Sequence, residues 1–274
     1  MEQDERLFLL LGDIGVYGFR DPLNKHPNRA LNVGICEQAT IGLASGLAIT
    51  GFIPLVHSIA SFLVERAYEF LKIDFGYQGL GGNFVSVGAS HNYDKLGATH
   101  HCPADVSILS QIPNMQIVVP GTAKEFDILF QSAYANGQPS YFRLGKHTNV
   151  TSSDVEFGCV LPLSKTGSRF SVLCSGPALD YVEKAGLFQD DIQILYCTTV
   201  KPLDITTIGK NVPSGKLLVV EPYYSTIALD IMQAFPDLSI HSVSPGKCFI
   251  DAGFDLEKLM INKIIDVVRG LAWW

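Results

Sequence analysis

The chain has 274 residues, 47% of them hydrophobic and 17% charged, with a mean hydropathy of +0.22. That composition is globular, with a core that buries roughly 75% of the unfolded chain's surface, and it excludes disordered, collagen-like and low-complexity classes. Twenty basic against 27 acidic residues leave a net charge of −7, the wrong sign for a nucleic-acid binder, which needs a basic face.

The opening Met1-Glu2-Gln3-Asp4-Glu5 is acidic and has neither the basic nor the apolar part of a secretion signal. Strands are predicted over 7–11, 53–57, 83–88, 115–120 and 140–144. Each is short, apolar, rich in β-formers and bounded by Gly or Pro. Helices are predicted between them, over 36–50, 62–77, 104–111 and 123–136. The longest apolar stretch, 41–56, is broken by Gly42, Gly46, Gly51 and Pro54, and is too short to span a bilayer. A second series follows, with strands over 170–175, 193–197 and 216–221 and helices over 178–187, 226–234 and 256–268. This alternation predicts an α/β fold of two three-layer domains with mainly parallel sheets. The polar run 145–168 marks the join, giving domains at 1–150 and 169–274 with a linker over 151–168. Six cysteines without a CxxC pair predict reduced thiols and a cytoplasmic location. The sequon Asn149-Val150-Thr151 carries no weight without a secretion signal.

In an open α/β sheet, ligands collect beyond the carboxyl ends of the strands. The polar residues predicted there are Asp13, Glu37, His57, Ser90, His91, Thr99-His100-His101 and Arg143. Glu37 opens a helix of small and apolar residues, Gly34 to Gly46, suited to close packing on another backbone. Its first turn is therefore expected to be buried, which raises the carboxyl's proton affinity and demands a hydrogen-bond partner. The plainer alternative is a charge favoured by the helix dipole. His100-His101-Cys102 lacks a second pair at ligand spacing, so a loop histidine for acid–base work is preferred to a zinc site. Arg143 ends a strand and suits either an anion clamp or an interface salt bridge. Phe62, Tyr68 and Phe70 read as core aromatics of one helix. Gly79-Leu80-Gly81-Gly82 precedes a strand and reads as a turn.

The string Arg29-Ala30-Leu31-Asn32-Val33-Gly34-Ile35-Cys36-Glu37-Gln38, with Gly46-Leu47-Ala48, Gly51, Pro54, Phe62 and Arg66-Ala67-Tyr68, resembles the pyrimidine-binding domain of transketolases. Gly97-Ala98-Thr99-His100-His101, Ile112-Pro113-Asn114-Met115, Val119-Pro120 and Tyr141-Phe142-Arg143 extend the similarity. Lys201-Pro202-Leu203-Asp204 and Val219-Val220-Glu221 resemble the family's carboxy-terminal domain. The resemblance implies the thiamine-diphosphate-binding fold and a two-carbon ketol transfer from a ketose, or its phosphate, to an aldehyde acceptor. Full-length transketolases hold the cofactor's diphosphate through Mg²⁺ in a further amino-terminal domain, with a GDG followed by an Asn. Only Gly12-Asp13-Ile14-Gly15 comes near that pattern. The chain therefore looks like the carboxy-terminal subunit of a split transketolase. It is expected to act only with an amino-terminal partner subunit, in a heterotetramer.

The resemblance also implies roles. Glu37 matches the glutamate that hydrogen-bonds N1′ of the aminopyrimidine and favours its 4′-imino tautomer, Phe62 the aromatic against that ring, and Tyr68 a lining residue. Asp13 falls where the family places an aspartate close to the cofactor. His100 matches the histidine that contacts the donor's oxygens, Arg143 the arginine that grips the sugar phosphate, and His91 lies where phosphate ligands occur. Three departures stand out. Leu96 replaces an aspartate that reads a substrate hydroxyl, which relaxes or changes recognition there. Ala104 replaces the usual acidic residue and leaves Asp105. No glycine pair follows Glu221. Two further readings are the β subunit of a 2-oxo-acid dehydrogenase and a scaffold protein of the same fold that has lost catalysis.

Overall fold

The computed structural model describes residues 1–164, 169–189, 191–250 and 253–270. The last four residues of the expected linker lie outside these. Two sheets form the molecule, both mostly parallel as the alternation predicts. The first contains β1 (Leu7–Leu11), β2 (Ala30–Asn32), β3 (Ile53–Ile59), β4 (Gly82–Val87), β5 (Gln116–Val118), β6 (Pro139–Arg143) and β10 (Thr199–Lys201). The second contains β7 (Val160–Pro162), β8 (Phe170–Ser175), β9 (Ile192–Cys197), β11 (Lys216–Val220) and β12 (Ser239–Val243). Strand order is β10-β5-β6-β4-β3-β1-β2 in one and β12-β11-β8-β9-β7 in the other.

Register explains the core of the first sheet. Leu10, Val56, Phe84, Tyr141 and Ile117 are neighbours across five strands, all on one face and all buried. The helix Glu37–Ile49 and the segment from Ser61 to Tyr77 cover that face, and Ile41, Leu63, Ala67, Leu71 and Phe75 join the same cluster. On the other face Val85, Val118 and Phe142 join a cluster with Leu129 of helix Ala123–Ala133 and residues of the second sheet. A cavity of about 560 Å³ also lies on this face, floored by Leu9, Leu55 and Val85 and walled by Phe19, Phe126 and Phe130. It is mostly apolar, and His57 of β3 also lines it.

Four short strands differ from the sequence prediction. β7 falls in the stretch read as linker and pairs antiparallel with β9. β10 crosses from the second half of the chain to pair antiparallel with β5. β2 and the edge strand β12, Ser-Ile-His-Ser-Val, carry no apolar run to announce them. Asn149 is buried, and its Nδ2 donates to Tyr196 Oη at 3.0 Å, so the sequon is occupied by packing. All six cysteines are unpaired.

Candidate active site

Most residues picked out by the sequence lie at the carboxyl end of a strand of the first sheet or in the loop that follows it, while His57 lies within β3. Asp13 follows β1, Glu37 follows β2, Phe62 follows β3, the loop with His91 and His100 follows β4, and Arg143 ends β6. Parallel pairing puts these ends along one edge, which gathers distant parts of the chain into one crevice.

Glu37 sits in the first turn of its helix and is 3% exposed. No side chain caps that terminus, so the carboxylate faces the positive end of the helix dipole. Its Oε2 accepts a hydrogen bond from Arg66 Nη1 at 2.8 Å. Its Oε1 is shielded from solvent and accepts none from the described residues. A buried carboxylate oxygen without a donor costs free energy, so Oε1 is the strongest unmet polar demand in the crevice.

Arg66 ends a π-helical turn, Ser61–Arg66, where the sequence predicts one continuous α-helix over 62–77. Tyr68–Phe70 is α-helical and Leu71–Tyr77 returns to π geometry. The wider i→i+5 turn keeps Leu63, Val64, Ala67 and Leu71 buried while Phe62 and Arg66 stand together at the crevice. The Arg66 guanidinium carbon lies 4.3 Å from the centre of the Phe62 ring. Phe62 in turn meets the His100 ring edge-on at 5.1 Å, and Tyr93 meets His100 from another side at 5.6 Å. Thr99 Oγ1 lies 2.9 Å from His100 Nδ1, leaving the other ring nitrogen for a ligand. Glu37, Arg66, Phe62 and His100 thus form one connected group. Phe62 belongs to it and not to the core, because the π turn rotates it outward. Arg66 has no role in the sequence reading, although its four-residue spacing from Phe62 was a visible signal.

The remaining predicted residues stand apart. Asp13 is exposed, in the left-handed region at φ 60°. Asn32 ties it to the turn before Glu37, accepting from the backbone N–H groups of Asp13 at 3.0 Å and Gly34 at 3.2 Å. Tyr68 is half-buried and packs on the first core. His57 is buried, with Nδ1 2.9 Å from the Val85 carbonyl, and burial lowers its pKa. His91 is buried edge-on against His101 at 4.8 Å, and burial pushes its pKa down to about 4.

Arg143, expected from the resemblance to grip a sugar phosphate, is buried at the end of β6. Its side chain is 3% exposed and Nε donates to Asp105 Oδ2 at 2.7 Å. The contact is a salt bridge buried within the chain, whereas the sequence left open an anion clamp or an interface salt bridge.

Residues 1–150 match the family described as the transketolase pyrimidine binding domain. An uncharacterized 33.6 kDa protein in the fasciation locus of Rhodococcoides fascians is 37% identical over 227 residues, 81% of this chain and 72% of that protein. A subunit of the apulose-4-phosphate transketolase of Phocaeicola vulgatus is 30% identical over 207 residues, 72% of this chain and 66% of that polypeptide. A solved structure described as a split gene transketolase, inactive β4 tetramer, superposes with a TM-score of 0.84 at 22% identity. It covers 98% of this chain and 92% of its own. The chain belongs to the transketolase family, through its pyrimidine-binding domain.

Proposed function

We propose that this chain is the pyrimidine-binding subunit of a thiamine-diphosphate-dependent split transketolase, transferring a two-carbon ketol unit between a ketose and an aldehyde acceptor. The observation that carries this reading is Glu37, buried and held at Oε2 by Arg66, with Oε1 left without a donor, in a group that Arg66 links to Phe62 and His100. A protonated or N–H-bearing heteroaromatic nitrogen satisfies that oxygen, and Phe62 gives the ring an apolar wall, so the residues present fit the cofactor's aminopyrimidine.

When bound, thiamine diphosphate supplies the nucleophilic carbon that carries the ketol fragment. Glu37 holds and shares a proton at Oε1, which is its part in acid–base catalysis. Arg66 fixes the carboxylate through Oε2, so that Oε1 is the atom turned toward the ring nitrogen. His100, aligned by Thr99, exchanges hydrogen bonds with the sugar oxygens. Asp13 and Tyr68 stand apart from this group and take no step in the transfer.

The diphosphate and Mg²⁺ ligands belong, on this reading, to a partner subunit. Among the described residues no group of three His, Cys, Asp or Glu could hold a metal ion. An apolar stripe suited to a subunit contact runs beside Glu37, where Ile35 is 70%, Leu43 42% and Ile49 64% exposed. The Phocaeicola vulgatus relative is itself named as one subunit of a transketolase, which supports an enzyme of more than one polypeptide, and two copies of each fit a heterotetramer. No described helix is long and apolar enough to cross a membrane, and six unpaired cysteines suit the cytoplasm. The test is to titrate thiamine diphosphate and Mg²⁺ into the chain with and without a partner that carries the diphosphate site, and to assay ketol transfer. Binding and transfer are expected only with the partner; micromolar cofactor binding by the chain alone would reject the two-polypeptide reading.

A further inference from the structure

The ion pair of Arg143 lies at the base of the loop that carries His100. Ser90 and Cys102 form an isolated antiparallel bridge, with Cys102 N–H donating to the Ser90 carbonyl at 2.7 Å, so residues 91–101 make a closed excursion after β4. Arg143 reaches that base from β6, and its Nη2 donates to Ser90 Oγ at 2.6 Å. The Ser90 hydroxyl passes the contact on by donating to the Pro222 carbonyl, which follows β11 of the second sheet. Tyr223 lies beneath the guanidinium at 5.0 Å, and its hydroxyl meets Ser175 Oγ of β8 at 2.7 Å. Tyr224 N–H donates to the Pro103 carbonyl at 2.8 Å, just past the loop.

Asp105 anchors the other side of the guanidinium. Its Oδ2 accepts from Arg143 Nε at 2.7 Å and Tyr141 Oη at 2.9 Å, and its Oδ1 accepts from Val106 N–H at 2.9 Å. A phosphate brought to this guanidinium would face the Asp105 carboxylate. Turning the side chain outward instead would leave Asp105 as a buried, unpaired charge, the costly outcome for such a pair. Ser90 also lies in the left-handed region at φ 55°. A non-glycine residue persists there only when its surroundings over-determine it.

We propose that Arg143 is a positioning residue: through Ser90 and Asp105 it pins the His100 loop to the second sheet, and it does not bind substrate phosphate. The role of His100 in this proposal rests on the function proposed above.

The experiment compares Ser90→Ala and Arg143→Lys with the parent chain. A lysine keeps the charge but cannot bridge Asp105 and Ser90 with a fixed fork. In the purified full chain, histidine-ring NMR should show the signals of His91, His100 and His101 displaced in both variants, while His26, distant from the loop, stays in place and reports an intact fold. With the partner polypeptide, kcat should fall at least tenfold for phosphorylated and unphosphorylated donors alike, with KM within about twofold. If Arg143→Lys fails to fold, Ser90→Ala decides alone. Unmoved loop histidines overturn the proposal, as does a tenfold rise in KM confined to phosphorylated donors. Should the parent complex transfer no ketol group, the functional reading fails, while the ring signals still decide whether Arg143 positions the loop.

Discussion

Arg66 holds one oxygen of Glu37 at 2.8 Å and leaves the other bare. This asymmetry makes the carboxylate directional. One oxygen is spent on fixing the group through Arg66, which also stacks on Phe62, and the second keeps its lone pairs unused.

Replacing Glu37 with Gln keeps the shape and removes the shared proton. Ketol transfer should fall by about 10²–10⁴, with the far-UV spectrum and melting temperature preserved. Arg66→Ala should also reduce kcat, and Arg66→Lys should restore part of it, because a single donor to Oε2 suffices. Near-parental turnover in Glu37→Gln would dismiss the assignment.

Removing Asp105 strands the Arg143 guanidinium in the interior. Asp105→Ala is expected to destabilise the chain by about 3–5 kcal/mol in denaturant unfolding. Asp154→Ala, which removes an exposed partner of Lys124 at 3.8 Å, should leave the midpoint unchanged. Equal midpoints for the two variants would show that the buried pair contributes nothing.

Two buried groups give opposite pH dependences. Burial raises Glu221 to about 7, so the folded state holds a proton that the unfolded state has lost, and its contribution declines as pH rises from about 4.5 to about 7. Burial lowers His91 to about 4, so its contribution grows as pH rises from about 4 to about 6.5. Each spans about 3 kcal/mol at 1.36 kcal/mol per pH unit. Relative to the parent, Glu221→Gln should gain stability across its window and His91→Gln should lose it across its own. Parallel unfolding curves at pH 4.5 and 7 would refute both assignments.

The stripe of Ile35, Leu43 and Ile49 should be an assembly surface. Leu43→Glu places a charge in its centre and should lower the mass observed by sedimentation equilibrium without shifting the far-UV spectrum. An unchanged assembly would remove this face from the interface.

The strands of both cores were legible because runs such as Leu7–Leu11 and Phe170–Ser175 are apolar on both faces and bounded by breakers. The placement of Glu37 at a helix start and of His100 in the loop after β4 followed from the same alternation. What escaped depends on contacts far along the chain. The π turn that rotates Phe62 outward has the same composition as an α turn, and Thr199–Lys201 becomes a strand only because β5 offers it an edge. Arg143 was ambiguous because its ion-pair partner, Asp105, lies 38 residues away and is brought beside it by the fold.

β10 gives the molecule a seam that cannot be cut cleanly. The strand is donated from the second half of the polypeptide and seals the outer edge of the first sheet beside β5. A fragment ending before Thr199 would present β5 as an open edge, a template for pairing between copies. The polypeptide should therefore melt as one cooperative unit. Expressed halves should recover solubility only when supplied together, each completing the other like the two parts of a clasp.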